Sequence, residues 1–256
     1  VAKTPKSAKT DRQAVIDEIR KKQKGAEKRR GFAIVGVCIL IALIIVGAAA
    51  YGPLKDKWDE REYADVAVGE IGEPASVCQD VTTVSAEGSG DHVPESQQVT
   101  YDHSPVAFGS HWNVAGLAPA AFERKFYTAE DRPELESLVH NLEHGYNIIW
   151  YDDTIADDGD AIDELRAIAA KYQGTDNFRD KVIVAPWTKE DDDENEGEWP
   201  KGQHIAFTHW SVGGAGETDT TKQVGVWQYC SDVSGEAFEK FTLDYPYLDS
   251  PEPTVQ

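Results

Sequence analysis

The sequence predicts an α+β fold, or an open α/β sandwich, preceded by a single transmembrane helix. Three observations predict it. A twenty-residue run without charge, Phe32 to Tyr51, lies near the N-terminus. After it, hydrophobic periodicity gives the order α-β-α-β-β-α, which packs as one sheet covered by helices. Beyond the run only two cysteines occur, Cys78 and Cys230, near the two ends of the same stretch.

The apolar run comes first. At about 1.5 Å per residue it forms a helix of about 30 Å, the thickness of a bilayer's hydrocarbon core. It exceeds the apolar region of about 7–15 residues in a secretory signal, so an uncleaved anchor is expected rather than a cleaved leader ending near Ala48-Ala49-Ala50. Charge orients it. Residues 1–31 carry a net +7 and the remainder a net −28, within a total of −21. Lys28, Arg29 and Arg30 precede the run directly, which puts the N-terminus in the cytoplasm and the acidic part outside. Strong acidity there argues against nucleic acid as a partner, since phosphates are repelled.

The expected organisation is a basic cytoplasmic segment (1–31), the transmembrane helix (32–51), a stalk (52–76), an extracytoplasmic domain (77–248) and a frayed tail (249–256). Residues 1–9 read as disordered. Thr10-Asp-Arg-Gln reads as a capping box opening a short basic helix, either against anionic lipid or as a topological charge cluster. Gly52-Pro53 should break the anchor helix. In an oxidising compartment Cys78 and Cys230 should pair, and closing a loop of about 150 residues stabilises by roughly 5 kcal/mol in the chain-entropy model. Cys38 reads as a small apolar filler within the anchor.

Within the domain, Pro133 at the first helical position opens a helix that runs through His144 and is closed by Gly145. YNIIWY (146–151) is a strand rich in β-branched and aromatic residues. Asp160 caps a helix, AIDELRAIAAKYQ, with Ile162, Leu165, Ile168, Ala169 and Tyr172 on one face. VIVAPW (182–187) is a buried strand, and HIAFTHW (204–210) alternates like another. The acidic stretch KEDDDENEGEWPKG (189–202) should be an extended, solvated loop, because like charges repel. It lacks the glycine-centred pattern of a calcium loop. Ser234 opens a last helix. The later elements fit a thioredoxin-like arrangement or a ferredoxin-like one, but no C-x-x-C supports thiol chemistry.

The chemistry centres on His140-Asn-Leu-Glu-His-Gly145. The H-x-x-E-H string is that of inverted zinc peptidases, and histidines four apart share a helix face. Leu135, Leu138, Val139 and Leu142 form the core stripe, so His140 and His144 face away from it, toward solvent, a cleft or a partner. Gly145 ends the helix directly after the second histidine, and no single downstream carboxylate stands out as a third ligand. A zinc hydrolase is therefore disfavoured, whereas a zinc or copper ion on His111, His140 and His144 is a candidate. His92, His103, His204 and His209 are further possible ligands. The sequence has no methionine, which removes a thioether copper ligand. In the stretch 101–112, Pro105 and Gly109 suggest a tight loop that delivers His111 and Trp112. Serine nucleophile chemistry has no G-x-S-x-G to support it. A purely structural use of the motif is also open, in which His140, Glu143 and His144 hydrogen-bond the 101–112 loop.

Val139-His-Asn-Leu-Glu-His-Gly145, with Ser-Pro-Val-Ala-Phe-Gly-Ser-His at 104–111 and one N-terminal anchor, resembles an actinobacterial family known only as a domain of unknown function. The resemblance covers roughly residues 75–245. Where that family shows two prolines and a Ser-Gly before the first motif histidine, this sequence has Ser104-Pro105 and Phe108-Gly109. Members are accessory subunits of the cytochrome bcc–aa3 respiratory supercomplex. The resemblance implies a non-catalytic stabilising subunit without a cofactor, partnered by cytochrome bcc, aa3 oxidase and membrane lipid. Its motif residues fall on His111, His140, Glu143, His144 and Gly145. The rival readings are an extracytoplasmic zinc or copper assembly factor and, behind it, a zinc-dependent hydrolase.

Overall fold

A computed structural model of the chain describes residues 7–120, 123–173, 177 and 180–254. In the first helix the side chains of 7–12, 14, 25–30, 33 and 51–61 fall outside that description. The chain divides into two compact units, Val1–Lys57 and Trp58–Gln256.

The first unit is built on α1, Ser7–Glu62. It begins before Thr10, so Thr10 is interior and not a cap, and residues 7–9 are helical. It also runs through Gly52-Pro53. Pro53 removes one backbone donor, but good helix formers follow it, so the helix continues where a break was expected. Every large apolar side chain described from Phe32 to Val46 is at least 50 % exposed within the chain. Among the described residues no helix is long and apolar enough to cross a membrane. The side chains described continuously in the apolar run are those of residues 34–50, fewer than the twenty the sequence provides.

The second unit holds a five-stranded mixed sheet in the order β1-β7-β6-β4-β5. The strands are β1 (Thr82–Ser85), β4 (Asn147–Tyr151), β5 (Val182–Pro186), β6 (Ile205–Ser211) and β7 (Val224–Cys230). Only β4 and β5 run parallel; β6 is antiparallel to β4, β7 to β6 and β1 to β7. β4 and β5 are neighbours joined through α3 (Asp153–Ala156) and α4 (Gly159–Lys171). No strand lies between them, so the split crossover of a ferredoxin-like fold is excluded. A separate pair, β2 (His92–Val93) and β3 (His111–Trp112), runs parallel.

Helices cover both faces of the sheet, and the period of two sorts the strand residues between them. Ile148, Trp150, Ile183, Ala185, Ala206 and Trp210 pack with Leu138, Val139 and Leu142 of α2 (Leu135–Glu143). Ile149, Tyr151, Val182, Val184, Ile205 and Phe207 pack with Leu165 and Ile168 of α4 and with Phe238 and Phe241 of α6 (Gly235–Asp244). Burial on both faces explains why these strands read as continuous apolar runs.

The helix boundaries differ locally from expectation. Glu134 is the N-cap of α2, so Pro133 lies outside it. Asp158 and not Asp160 caps α4, its carboxylate accepting from the amides of Asp160 and Ala161. Ser234 caps α6 as expected. Ile162 and Tyr172 are only partly buried at the edge of the α4 face. β1, β7 and the short α3 are elements the periodicity did not supply.

The acidic stretch after β5 is not an extended loop. It forms α5 (Lys189–Glu194), where Thr188 and Asp191 make a capping box. Asp191 is buried and takes both arms of the Arg132 guanidinium, at 2.6 and 2.8 Å. One paired carboxylate and a helix N-terminus thus outweigh the repulsion among the other acids. Parts of the expected stalk and tail also belong to the domain. Ile71 is a core residue of the face under α6, and Asp249 and Ser250 are buried.

Cys78 and Cys230 form a disulfide across 152 residues. It fastens the segment entering β1 to the end of β7, beside the hydrogen bond from Gln79 N to Tyr229 O at 2.7 Å. Cys38 is an exposed free thiol.

Two outcomes follow. Reducing the disulfide, or Cys78→Ser with Cys230→Ser, should lower unfolding free energy by about 2–5 kcal/mol, read by denaturant titration with and without reductant. Arg132→Ala should lower it by about 3–5 kcal/mol, because the Asp191 charge stays buried without its partner; Arg132→Ala with Asp191→Asn should recover part of that loss.

Candidate functional site

Three pieces of chain meet beyond the C-terminal end of α2: the motif itself, the β2–β3 pair, and the segment 247–253. α2 ends in a Schellman turn, with Tyr146 N bonded to Asn141 O at 3.1 Å and Gly145 N to Leu142 O at 3.0 Å. Gly145 has φ +88°, and a Cβ there would lie 2.4 Å from the Tyr247 carbonyl oxygen. The turn therefore requires glycine both for its backbone and for the close passage of 247–250.

β2 and β3 pair residue for residue, with His92 opposite His111. The loop before β3 contains Pro105 and Gly109 as expected, and it buries His111 completely. Five side chains converge as a result: His92, His111, His140, Glu143 and His144. Glu143 Oε2 lies 2.9 Å from His111 Nε2 and 3.5 Å from His92 Nε2. His140 Nε2 and His144 Nε2 are 2.9 Å apart.

The backbone fixes the protons. His111 Nδ1–H donates to the Gly109 carbonyl at 2.9 Å, and His144 Nδ1–H donates to the Glu252 carbonyl at 3.0 Å. In neutral rings both Nε2 atoms then present lone pairs inward. Carbonyl acceptors behind histidines are the usual supports of metal-ligating imidazoles. His140 Nε2–H satisfies His144, which leaves His140 Nδ1 buried with no hydrogen-bond partner among the described residues.

Burial first, then the neighbouring His144 and His111, pushes the His140 imidazole down to about 4, so it is neutral near pH 7. For Glu143 burial acts upward. Hydrogen bonding and positive charge from His111, the hydrogen bond of His92 and the charge of His144 outweigh it and hold the carboxyl below its ordinary value. An ionised carboxylate therefore faces the His111 lone pair at hydrogen-bond distance, and a cation has to lie between them. That cation is either a proton or a metal ion.

The donors divide into two sets rather than one. His92, His111 and Glu143 form the first, and His140, Glu143 and His144 the second; within each, all donor atoms lie within 4.8 Å of one another. The expected trio of His111, His140 and His144 is not among these sets; His111 falls in the first and His140 with His144 in the second. About 3.3 Å between donors is what a tetrahedral ion with bonds near 2.0–2.1 Å needs, so small side-chain shifts complete either set. His92 is the member that sequence reasoning left among the other histidines. Two-residue strands whose partners lie nineteen positions apart carry no local signal of their pairing. His204 instead pairs with Asp152 at 2.8 Å, and His209 bonds the Tyr146 and Asp249 carbonyls, at 3.2 and 2.7 Å. His103 packs edge-on against Trp227.

The hydrogen bonding to the 101–112 loop expected of the whole motif is made by Glu143, while His140 and His144 bond each other. The segment 247–253 is structural here and not frayed. Glu252 N bonds Glu143 O at 2.9 Å. Lys181 Nζ donates to the carbonyls of His144 and Pro253, at 2.7 and 3.1 Å. Burial pushes this lysine down to about 8. Beside the second set lies a cavity of about 320 Å³, bordered by Asn113, Pro119, His140, Asn141, His144 and Tyr146 among others.

Residues 92–213 match a family model described as "Protein of unknown function (DUF3105)". The match spans β2 through β6 and contains all five converging side chains. It is narrower than the 75–245 resemblance and leaves out β7, α6, both paired cysteines and Glu252. No curated protein and no solved structure matches the chain.

Gly145→Ala should lower stability by at least about 1–2 kcal/mol from the left-handed backbone alone, with more from the clash at Tyr247. Thermal unfolding of the variant measures it, and an unchanged melting temperature would contradict the assigned turn.

Proposed function

We propose that the chain is a membrane-anchored extracytoplasmic domain that binds a divalent transition metal, zinc or copper, through His140, His144 and Glu143 with His92 and His111 beside them. One observation carries the reading. A buried, ionised carboxylate and inward-facing imidazole lone pairs converge on shared points, and the second nitrogens of His111 and His144 are held by backbone carbonyls. Imidazole nitrogen suits zinc and copper, and the Glu143 carboxylate partly neutralises a dication. On the first set the ion would fasten the α2 terminus to the β2–β3 pair. Glu143 is held by His111 and His92, so it serves as ligand and charge partner rather than as the free base of a zinc peptidase.

Two further features support the anchored placement. The uncharged run from Phe32 to Tyr51 follows a basic segment, and its described large side chains are exposed within the chain. A lipid environment, or the helices of a larger membrane assembly, would cover them. A disulfide in the acidic unit suits an oxidising compartment outside the cytoplasm. The order β7-β6-β4-β5, with a direct parallel crossover and a final helix, supports a thioredoxin-like reading of the core.

A second reading is compatible with the first: a non-catalytic accessory subunit of the cytochrome bcc–aa3 supercomplex, with the metal handled for oxidase assembly. The exposed apolar side chains of α1 favour it. Co-purification in mild detergent with cytochrome subunits at a fixed ratio is the expected result, and their consistent absence would count against it.

The metal reading is tested on the purified full chain in detergent. Dialysis against zinc or copper followed by elemental analysis should find about one ion per chain. His140→Ala with His144→Ala should weaken binding on the order of 100-fold or more. A wild-type chain that retains no ion would leave the cluster as a proton-bridged structural network.

A further inference from the structure

Glu143 is the only donor common to both sets, and the two sets differ in access. In the first, the His92 side chain is 42 % exposed. In the second, His144 is buried and His140 is half-buried. Asn113 Nδ2–H donates to His92 Nδ1 at 3.2 Å, which leaves the His92 proton on Nε2, toward Glu143; for ligation Nε2 loses that proton, Nδ1 takes one up, and the Asn113 amide turns its Oδ1 to accept it. The rings of His92 and His111 are 4.8 Å apart and those of His140 and His144 are 4.4 Å apart. The two pairs are adjacent, with His111 and His140 at 5.4 Å.

We propose that the site is a two-position relay for one metal ion, resting on the metal-binding reading above. The ion is first captured at the surface by His92, His111 and Glu143. It then moves to an inner position on His140, His144 and Glu143. Glu143 stays bound throughout, so the ion exchanges one imidazole pair for the other and is never without a charged ligand. On the inner step the His140 ring changes tautomer: Nε2 loses its proton and Nδ1, buried without a hydrogen-bond partner, takes one up, so no proton is released overall and the ring that ligates through Nε2 stays neutral. Two dications cannot occupy the positions together at comparable affinity. They would share a single carboxylate and leave a net +3 in a largely buried place, a charge that burial strongly disfavours. The geometry therefore makes the positions alternatives rather than a two-metal centre.

Cobalt(II) tests this, because its visible absorption reports the ligand set. The full chain in detergent is mixed with Co²⁺ in a stopped-flow spectrometer, and total bound cobalt is measured at equilibrium. The expected result is one ion per chain, taken up in two phases. The first phase depends on cobalt concentration and the second does not. His92→Ala, which removes one capture ligand, should slow uptake about tenfold or more and abolish the spectrum of the first phase. His144→Gln should give the first phase alone and a different final spectrum, with circular dichroism showing that the fold is kept. One phase with a rate untouched by His92→Ala would overturn the relay while leaving the metal reading intact. Two ions per chain at similar affinity would overturn it as well. No cobalt bound at all would remove the metal reading and the relay with it.

Discussion

A carboxylate removed from water has to be met by positive charge or by several hydrogen bonds, since the unpaired ion is disfavoured by several kcal/mol even after relaxation. Glu143 is in that position, at 6 % exposure. Its side chain is met by His111 and His92 and its carbonyl by the amide of Glu252. Three segments far apart in the chain are thereby fixed to the end of α2. The order of the surroundings follows from this requirement. His111 needs the Gly109 carbonyl behind it, His92 needs the β2–β3 register, and the closing segment needs Gly145 to pass closely.

The sheet provides the rigid floor for that arrangement. β4 leaves the motif after one residue and enters the sheet between β5 and β6, where every one of its side chains is buried. The motif is therefore tied to a fully buried strand, and the other segments of the site are laid over it. The Cys78–Cys230 link lies at the other side of the sheet, holding the added strand β1 against β7. It belongs to the stability of the domain and not to the chemistry of the cluster.

Buried polar groups recur around the site and share one logic. Lys181 donates to two carbonyls, His209 lies between two more, and Asp249 accepts from Ser211 Oγ at 2.7 Å and Gly214 N at 2.7 Å. Each ties the 245–253 segment to the sheet or to α2. A polar network of this kind is specific because any slip of the segment leaves a donor or acceptor buried without a partner. Such a frame suits a site that must hold several imidazoles in fixed orientations.

Local chemistry made much of the fold legible. The Gly145 stop, the strands at 147–151 and 182–186 and the Ser234 cap depend on residues within a few positions of one another, so the sequence by itself determined them. It also determined the leucine stripe of α2 and therefore the face on which His140 and His144 lie. Other features were decided by contacts across long separations. β7 contains Gly225, which weakens its strand pattern; that glycine is needed because a Cβ there would lie 2.2 Å from the Phe108 ring. α5 forms in an acidic stretch because Arg132, 59 residues away, neutralises Asp191. The partner of His111 is His92, set by a two-residue pairing with no periodic signature. Residues 249–252 are held by groups on α2 and β6. In each case the deciding energy is a contact between residues distant in sequence, and only the tertiary structure brings those together.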